Sequence, residues 1–184
     1  MSPIEILAQA VSILAMAFNI LSYQCKTQKG IITLQFFGSG LFALSFFLLG
    51  SLMGMIMNIA SVIRAAVYRE KERLHADHIL WLFAFVAIFL TTYVLSFTVF
   101  GTEPSTKNLI VELLPVIGMT VSTISFRMSG AKAVRLLGLI NSPAWLIYNV
   151  FAFSIGAILC EAISLVSIIL ALFRYDLGKK KKTE

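Results

Sequence analysis

Seven runs dominated by apolar residues follow one another along the chain, at approximately 4–23, 31–49, 52–69, 78–100, 109–126, 134–151 and 155–173. Each is close to the roughly 20 residues that an α-helix needs to cross the hydrocarbon of a bilayer. The second and third are separated only by LGSLMG and the sixth and seventh only by AFSIG, so both pairs read as tight helical hairpins. The longest polar break, REKERLHADH, reads as a solvated connector that carries His75 and His78. The pattern predicts an all-α transmembrane protein of seven helices.

Composition agrees with that pattern. Of 184 residues, 59% are hydrophobic and 13% charged, where soluble domains carry about 25% charged residues. Little chain is left between the runs for a soluble domain. The first run follows MSPIE, which carries Glu5 and no basic residue, so it reads as a retained spanning helix and not a signal peptide. Cys25 and Cys160 lie in different segments without metal-ligand spacing, and they read as ordinary thiols.

Charge placement tests the helix count. With seven spans, fourteen of the fifteen Lys and Arg residues fall on one face, and Lys107 stands alone on the other. The positive-inside rule then places the N-terminus outside and the C-terminus in the cytoplasm. The basic tail LGKKKKTE reads as a stop-transfer signal at the inner surface of the membrane. Nucleic-acid binding is excluded as an expectation, because no folded soluble surface displays these charges.

Residues 12–69 slide onto 115–172 without a gap, at an offset of 103. Identities are few, but special positions coincide: Asn19 with Ser122, Phe42 with Trp145, and Asn58 with Glu161. Three helices copied directly would insert upside down, and an unmatched fourth helix restores the direction. The expected layout is therefore a first three-helix repeat over 1–74, a linker helix over 75–104, a second repeat over 105–176 and a basic tail over 177–184. Two parallel triplets would be related by an axis along the membrane normal.

ELLPVIGMTVST at 112–123, FFLLG at 46–50 and the segment from Trp145 through IYN to SIG and Glu161 resemble the YgjV-type bacterial inner membrane proteins. That likeness implies residence in a bacterial inner membrane. The group is similar in architecture to the SWEET and PQ-loop transporters, which share the three-plus-one-plus-three layout. The Pro-Gln pair that names the PQ-loop proteins is absent here. SWEET-like carriers clasp substrate between an aromatic residue on one helix and an Asn on the next, a role that transfers by resemblance to Trp145, Asn58 and Glu161.

The residues themselves point the same way. Glu161 lies seven residues into the seventh run, about 10 Å from its end. An acidic side chain near a helix centre costs about 2.5–3.5 kcal/mol against lipid, so it should face a cavity or a partner. There it could bind solute or carry a proton. Asn58 stands at the matching depth, and its amide offers donors and an acceptor without ionising. Trp145 and Phe42 precede these two by sixteen residues and could stack on flat solutes. Asn149, Tyr148, Asn19 and Ser122 are second-line candidates. Pro115 and Pro143, opposite Ser12 and Gly40 in the first repeat, are candidate hinges, since proline removes a backbone donor and bends a helix. Gln9 and Glu112 read as interfacial anchors, and Arg64 as a side chain snorkelling to the inner surface.

The sequence lacks a nucleophile with its base, clustered metal ligands and a phosphate loop, so neither an enzyme nor a metal or other cofactor is expected. The expected function is a carrier that moves a small polar metabolite, sugar, nucleoside or vitamin-like, by alternating access, with Glu161 as the candidate proton-coupling residue. The alternative is a structural or accessory membrane protein whose buried polar residues only hold helices together. Expected partners are the bilayer, the solute and, as a further option, copies of the chain in a homo-oligomer.

Overall fold

The computed structural model describes residues 2–177. The lysines of the basic tail, at 179–182, lie outside the described residues. Seven α-helices follow in order: α1 Pro3–Tyr23, α2 Gln28–Leu48, α3 Leu52–Arg69, α4 Ile79–Thr98, α5 Thr106–Arg127, α6 Ala131–Phe151 and α7 Ile155–Ala171, with a π-helical turn Leu172–Leu177 continuing the last. Among the described residues, six spans are long and apolar enough to cross a membrane. The exception is α6, whose interior carries Arg135, Asn141, Ser142, Pro143 and Asn149.

Local chemistry sets the helix starts. At α1, Ser2 and Glu5 cap each other reciprocally, Glu5 N–H donating to Ser2 Oγ (3.2 Å) and Ser2 N–H to the Glu5 carboxylate (2.9 Å), with Pro3 in the first turn. Thr27 and Ser105 cap α2 and α5 without the returning bond, their hydroxyls accepting from Gly30 N–H and Asn108 N–H. The helices α2, α5 and α6 each begin three residues before their apolar runs, because a first turn such as QKG can be polar and still helical.

The two short hairpins close by the same bonds. After α2, Ser51 N–H donates to Phe46 C=O (2.9 Å) and Gly50 N–H to Phe47 C=O (3.0 Å). After α6, Ser154 N–H donates to Asn149 C=O (3.2 Å) and Phe153 N–H to Val150 C=O (3.4 Å). Both are Schellman closures, which need a left-handed residue. Gly50 supplies it at φ +74° and Phe153 at φ +51°.

Within each hairpin group the middle helix lies between its neighbours: α2 between α1 and α3, and α6 between α5 and α7. The groups join along α1–α7 and, more thinly, along α3–α5, so six helices form a closed ring. Helix α4 lies outside the ring against α3 and α5. It is held there by a stack of Trp81, Phe85 and Phe89, with Tyr68 of α3 against Phe85 at 6.2 Å. Most of its other side chains are exposed, as a lipid-facing helix requires. The result is a seven-helix membrane bundle whose helices cluster as two groups of three with α4 between them in the chain.

At the basic end the loops are stitched to the ring. The Gln28 amide donates to the carbonyls of Ser125, Phe126 and Met128 at 2.9–3.1 Å. Lys71 donates to Arg127 C=O, and Arg127 Nε donates to Asp77 C=O at 2.8 Å. Thus the connector expected to be simply solvated is folded over the helix ends, with Ala76 fully buried in it.

Candidate functional site

At the centre of the ring is a cavity of about 50 Å³, lined by side chains from all six ring helices and by none from α4. That volume holds a few waters. Seven of the eight side chains expected from the sequence to bind solute meet here. Asn58 of α3 and Glu161 of α7 line it from opposite sides of the ring, with Phe42 of α2 and Trp145 and Asn149 of α6. Asn19 of α1 and Ser122 of α5 complete the set.

Tyr148 departs from that expectation. Its hydroxyl lies 3.0 Å from Ser51 Oγ, and its ring backs Trp145 edge to face at 5.6 Å and Phe46 at 6.3 Å. It supports the cavity wall without lining it, because the tie to Ser51 at the hairpin turn draws the phenol away.

The Trp145 indole is brought in by a close approach of α5 and α6. A Cβ added at Gly118 would stand 3.0 Å from both Trp145 Cδ1 and Asn141 Oδ1, closer than such contacts normally come, so a glycine at this crossing lets the helices meet. Asn58 spends its amide nitrogen on its own helix, donating to Gly54 C=O at 2.9 Å. Its carbonyl oxygen is left for the cavity.

The expected snorkelling of Arg64 does not occur. The side chain is 4% exposed and turns inward to line the cavity. It donates to Met119 C=O (3.0 Å), Thr123 Oγ1 (3.4 Å) and Ser61 Oγ (3.3 Å), with its guanidinium 4.8 Å from the Phe126 ring centroid. The facing helix thus offers acceptors and a π-face that replace water, so a long basic side chain five residues from the end of α3 can fold in. Sequence reading also missed Gln35, Ser39, Ser61 and Asn141 as lining groups. Their signal was present, since each is a polar residue inside an apolar run.

Three lining side chains carry a buried polar atom with no protein partner: Arg64 Nε, Asn141 Oδ1 and Asn149 Oδ1. Buried polar atoms are nearly always satisfied in folded proteins. A cavity lined by so many polar side chains is a place for water or for the polar groups of a solute.

The candidate hinges sit in the ring helices. Pro115 is buried in α5, Pro143 is half-buried in α6, and both helices run through unbroken. Ser12 is fully buried in α1, where its hydroxyl donates to Gln9 C=O at 2.8 Å, while Gly40 is exposed on α2. Away from the cavity, Gln9 ties α1 to the α6–α7 turn through Phe153 C=O and Gly156 N–H.

This arrangement belongs to a recognised group. A family model described as "Bacterial inner membrane protein", Imp-YgjV, matches residues 6–179. The chain belongs to the Imp-YgjV family. As a family member it is a multi-pass protein of the bacterial inner membrane, in accord with the ring of spanning helices. No curated protein and no solved structure matches it.

Proposed function

We propose that the protein is a carrier that moves a small polar metabolite by alternating access through the central cavity. The observation that carries the reading is the convergence of polar side chains from six helices on one axial cavity, three of them with an unsatisfied atom. Interhelical glue alone would scatter its polar groups and satisfy them pairwise.

In this reading the chain is an internal repeat of the three-plus-one-plus-three kind found in SWEET and PQ-loop proteins. Four pairs of lining positions separated by 103 support it: Asn19 and Ser122, Phe42 and Trp145, Phe46 and Asn149, Asn58 and Glu161. Interhelical bonds follow the same relation. Arg64 donates to Thr123 across α3–α5, and the positions 103 away, Ser167 and Ile20, are bonded across α7–α1. The charge asymmetry supports an N-terminus outside and a C-terminus in the cytoplasm.

A cavity of about 50 Å³ is smaller than the roughly 300 Å³ at which small-molecule pockets begin. Binding then requires the triplets to part, and α3–α5 is the thinner of the two seams. Pro115 is in α5, one of the two helices of that seam, and is a place where rocking would bend the chain. Glu161 is the candidate proton carrier.

Binding and liposome uptake by the purified protein, measured against metabolites at two pH values beside Asn58→Ala and Glu161→Gln, test the reading. A carrier takes up a solute, and both variants slow uptake while keeping their melting temperature. Absence of any ligand, with variants that lose only thermal stability, returns the protein to the accessory class. Equal uptake by Glu161→Gln at both pH values removes the proton step.

A further inference from the structure

The cavity carries one basic and one acidic side chain, and they are not paired. Arg64 of α3 and Glu161 of α7 both line it, from helices that face each other across the ring. Among the described residues the one salt bridge joins Arg135 to Asp176, so neither cavity charge has an ionic partner. An arginine keeps its charge in proteins, and a buried charge is normally paired. Every present partner of Arg64 is neutral: a carbonyl, two hydroxyls and the Phe126 ring.

The unsatisfied atoms divide along the same line. The orphaned donor, Arg64 Nε, belongs to α3. The orphaned acceptors, Asn141 Oδ1 and Asn149 Oδ1, belong to α6, beside the helix that carries Glu161. The α3 wall therefore offers a cation and the α7 wall an acid, with the Asn141 and Asn149 amides beside it. Trp145 stands on the acceptor side, where an aromatic face suits a cation.

We propose that the cavity binds a small zwitterion, with a carboxylate received by Arg64 and an ammonium group received by Glu161, Asn141 and Asn149. This rests on the carrier reading for its transport role but not for the binding itself. Such a solute spans the two triplets, gives each cavity charge an opposite partner and leaves the occupied site close to neutral. A neutral sugar would leave both charges unpaired.

The test is calorimetric binding to the purified protein in detergent, using glycine, alanine and 4-aminobutyrate against propylamine, propionate and glucose. A zwitterion is expected to bind about tenfold to a hundredfold more tightly than the matched amine or acid, the range that a hydrogen bond to a charged group supplies. Glu161→Gln should narrow the gap to the matched acid, and Arg64→Gln the gap to the matched amine, with Arg64→Lys retaining selectivity. The selectivity of the unaltered protein decides the matter even if a variant fails to fold. Binding of glucose but of no zwitterion overturns the inference and leaves the carrier standing. Zwitterion binding in detergent without uptake into liposomes removes the carrier and leaves the inference. Failure of all six probes overturns the inference.

Discussion

Gly50 and Phe153 occupy the same place in two hairpins 103 residues apart, each in the left-handed region, at φ +74° and +51°, and each donating the corresponding turn hydrogen bond. A Cβ at that place strains the backbone by about 1–2 kcal/mol, so the first hairpin uses the residue the turn prefers and the second does not. The Phe153 side chain is 81% exposed and gives little back through packing. Phe153→Gly is expected to stabilise the protein by about 0.5–1 kcal/mol after the entropy cost of the glycine. Gly50→Ala, whose Cβ would meet nothing within 4 Å, should destabilise it by about 1 kcal/mol. Thermal unfolding in one detergent checks both directions.

A second expectation concerns the basic end. Arg135 is 1% exposed and reaches the Tyr23 carbonyl (3.2 Å), the Cys25 carbonyl (2.7 Å) and the Asp176 carboxylate (2.7 Å). It ties the end of α1 and the π-helical turn to α6. Asp176→Asn should cost about 2–3 kcal/mol, because a buried guanidinium loses its counter-charge but keeps two carbonyls. The melting temperature should fall, while solute binding in the surviving fold stays unchanged.

Asn149 separates stability from function. Its Oδ1 is buried without a partner, so Asn149→Leu, of the same branched shape, removes an unsatisfied acceptor. Stability should hold or rise by about 1 kcal/mol. Solute affinity should fall at least about tenfold, the loss of one good hydrogen bond to a charged group. An equal fall in melting temperature and affinity would make Asn149 a structural residue.

Gly40 tests the hinge proposal. A Cβ there would meet only Val62, at 3.9 Å, so Gly40→Ala fits the fold and gains helix propensity of about 1 kcal/mol. Uptake should nevertheless slow if α2 bends at this point. Unchanged uptake in the stabilised variant would remove Gly40 from the hinges.

The proposed orientation is open to chemical labelling. Cys25 is half-exposed at the basic end and Cys160 is buried. A membrane-impermeant maleimide should label Cys25 in inverted vesicles and not in intact spheroplasts, with Cys25→Ser abolishing the signal. Labelling from the outer face would reverse the orientation.

The positions of the helices were legible because lipid imposes them: a chain crossing hydrocarbon must satisfy its backbone internally and carry apolar side chains for about 20 residues. The polar cavity was legible in outline for the same reason. Asn58, Glu161 and Asn149 stand out against oily neighbours, and lipid leaves such groups nowhere to face but inward. Arg64 and Arg135 were not legible as buried groups. Near a helix end a basic side chain can reach water or fold inward, and helical spacing is the same for both. Tyr148 was not legible as a wall residue because its phenol reaches the Ser51 hydroxyl in the α2–α3 turn, a contact between residues 97 apart in sequence.

The amino-acid order thus determined seven spans, their two tight hairpins and the inward-facing polar positions, since each follows from local cost in water or lipid. Only the packed ring decided that α4 stands aside, that α3 faces α7 across the cavity and that Arg64 turns into it. Those outcomes depend on which helices touch, and that choice is made by acceptors, small residues and aromatic faces distant in the chain.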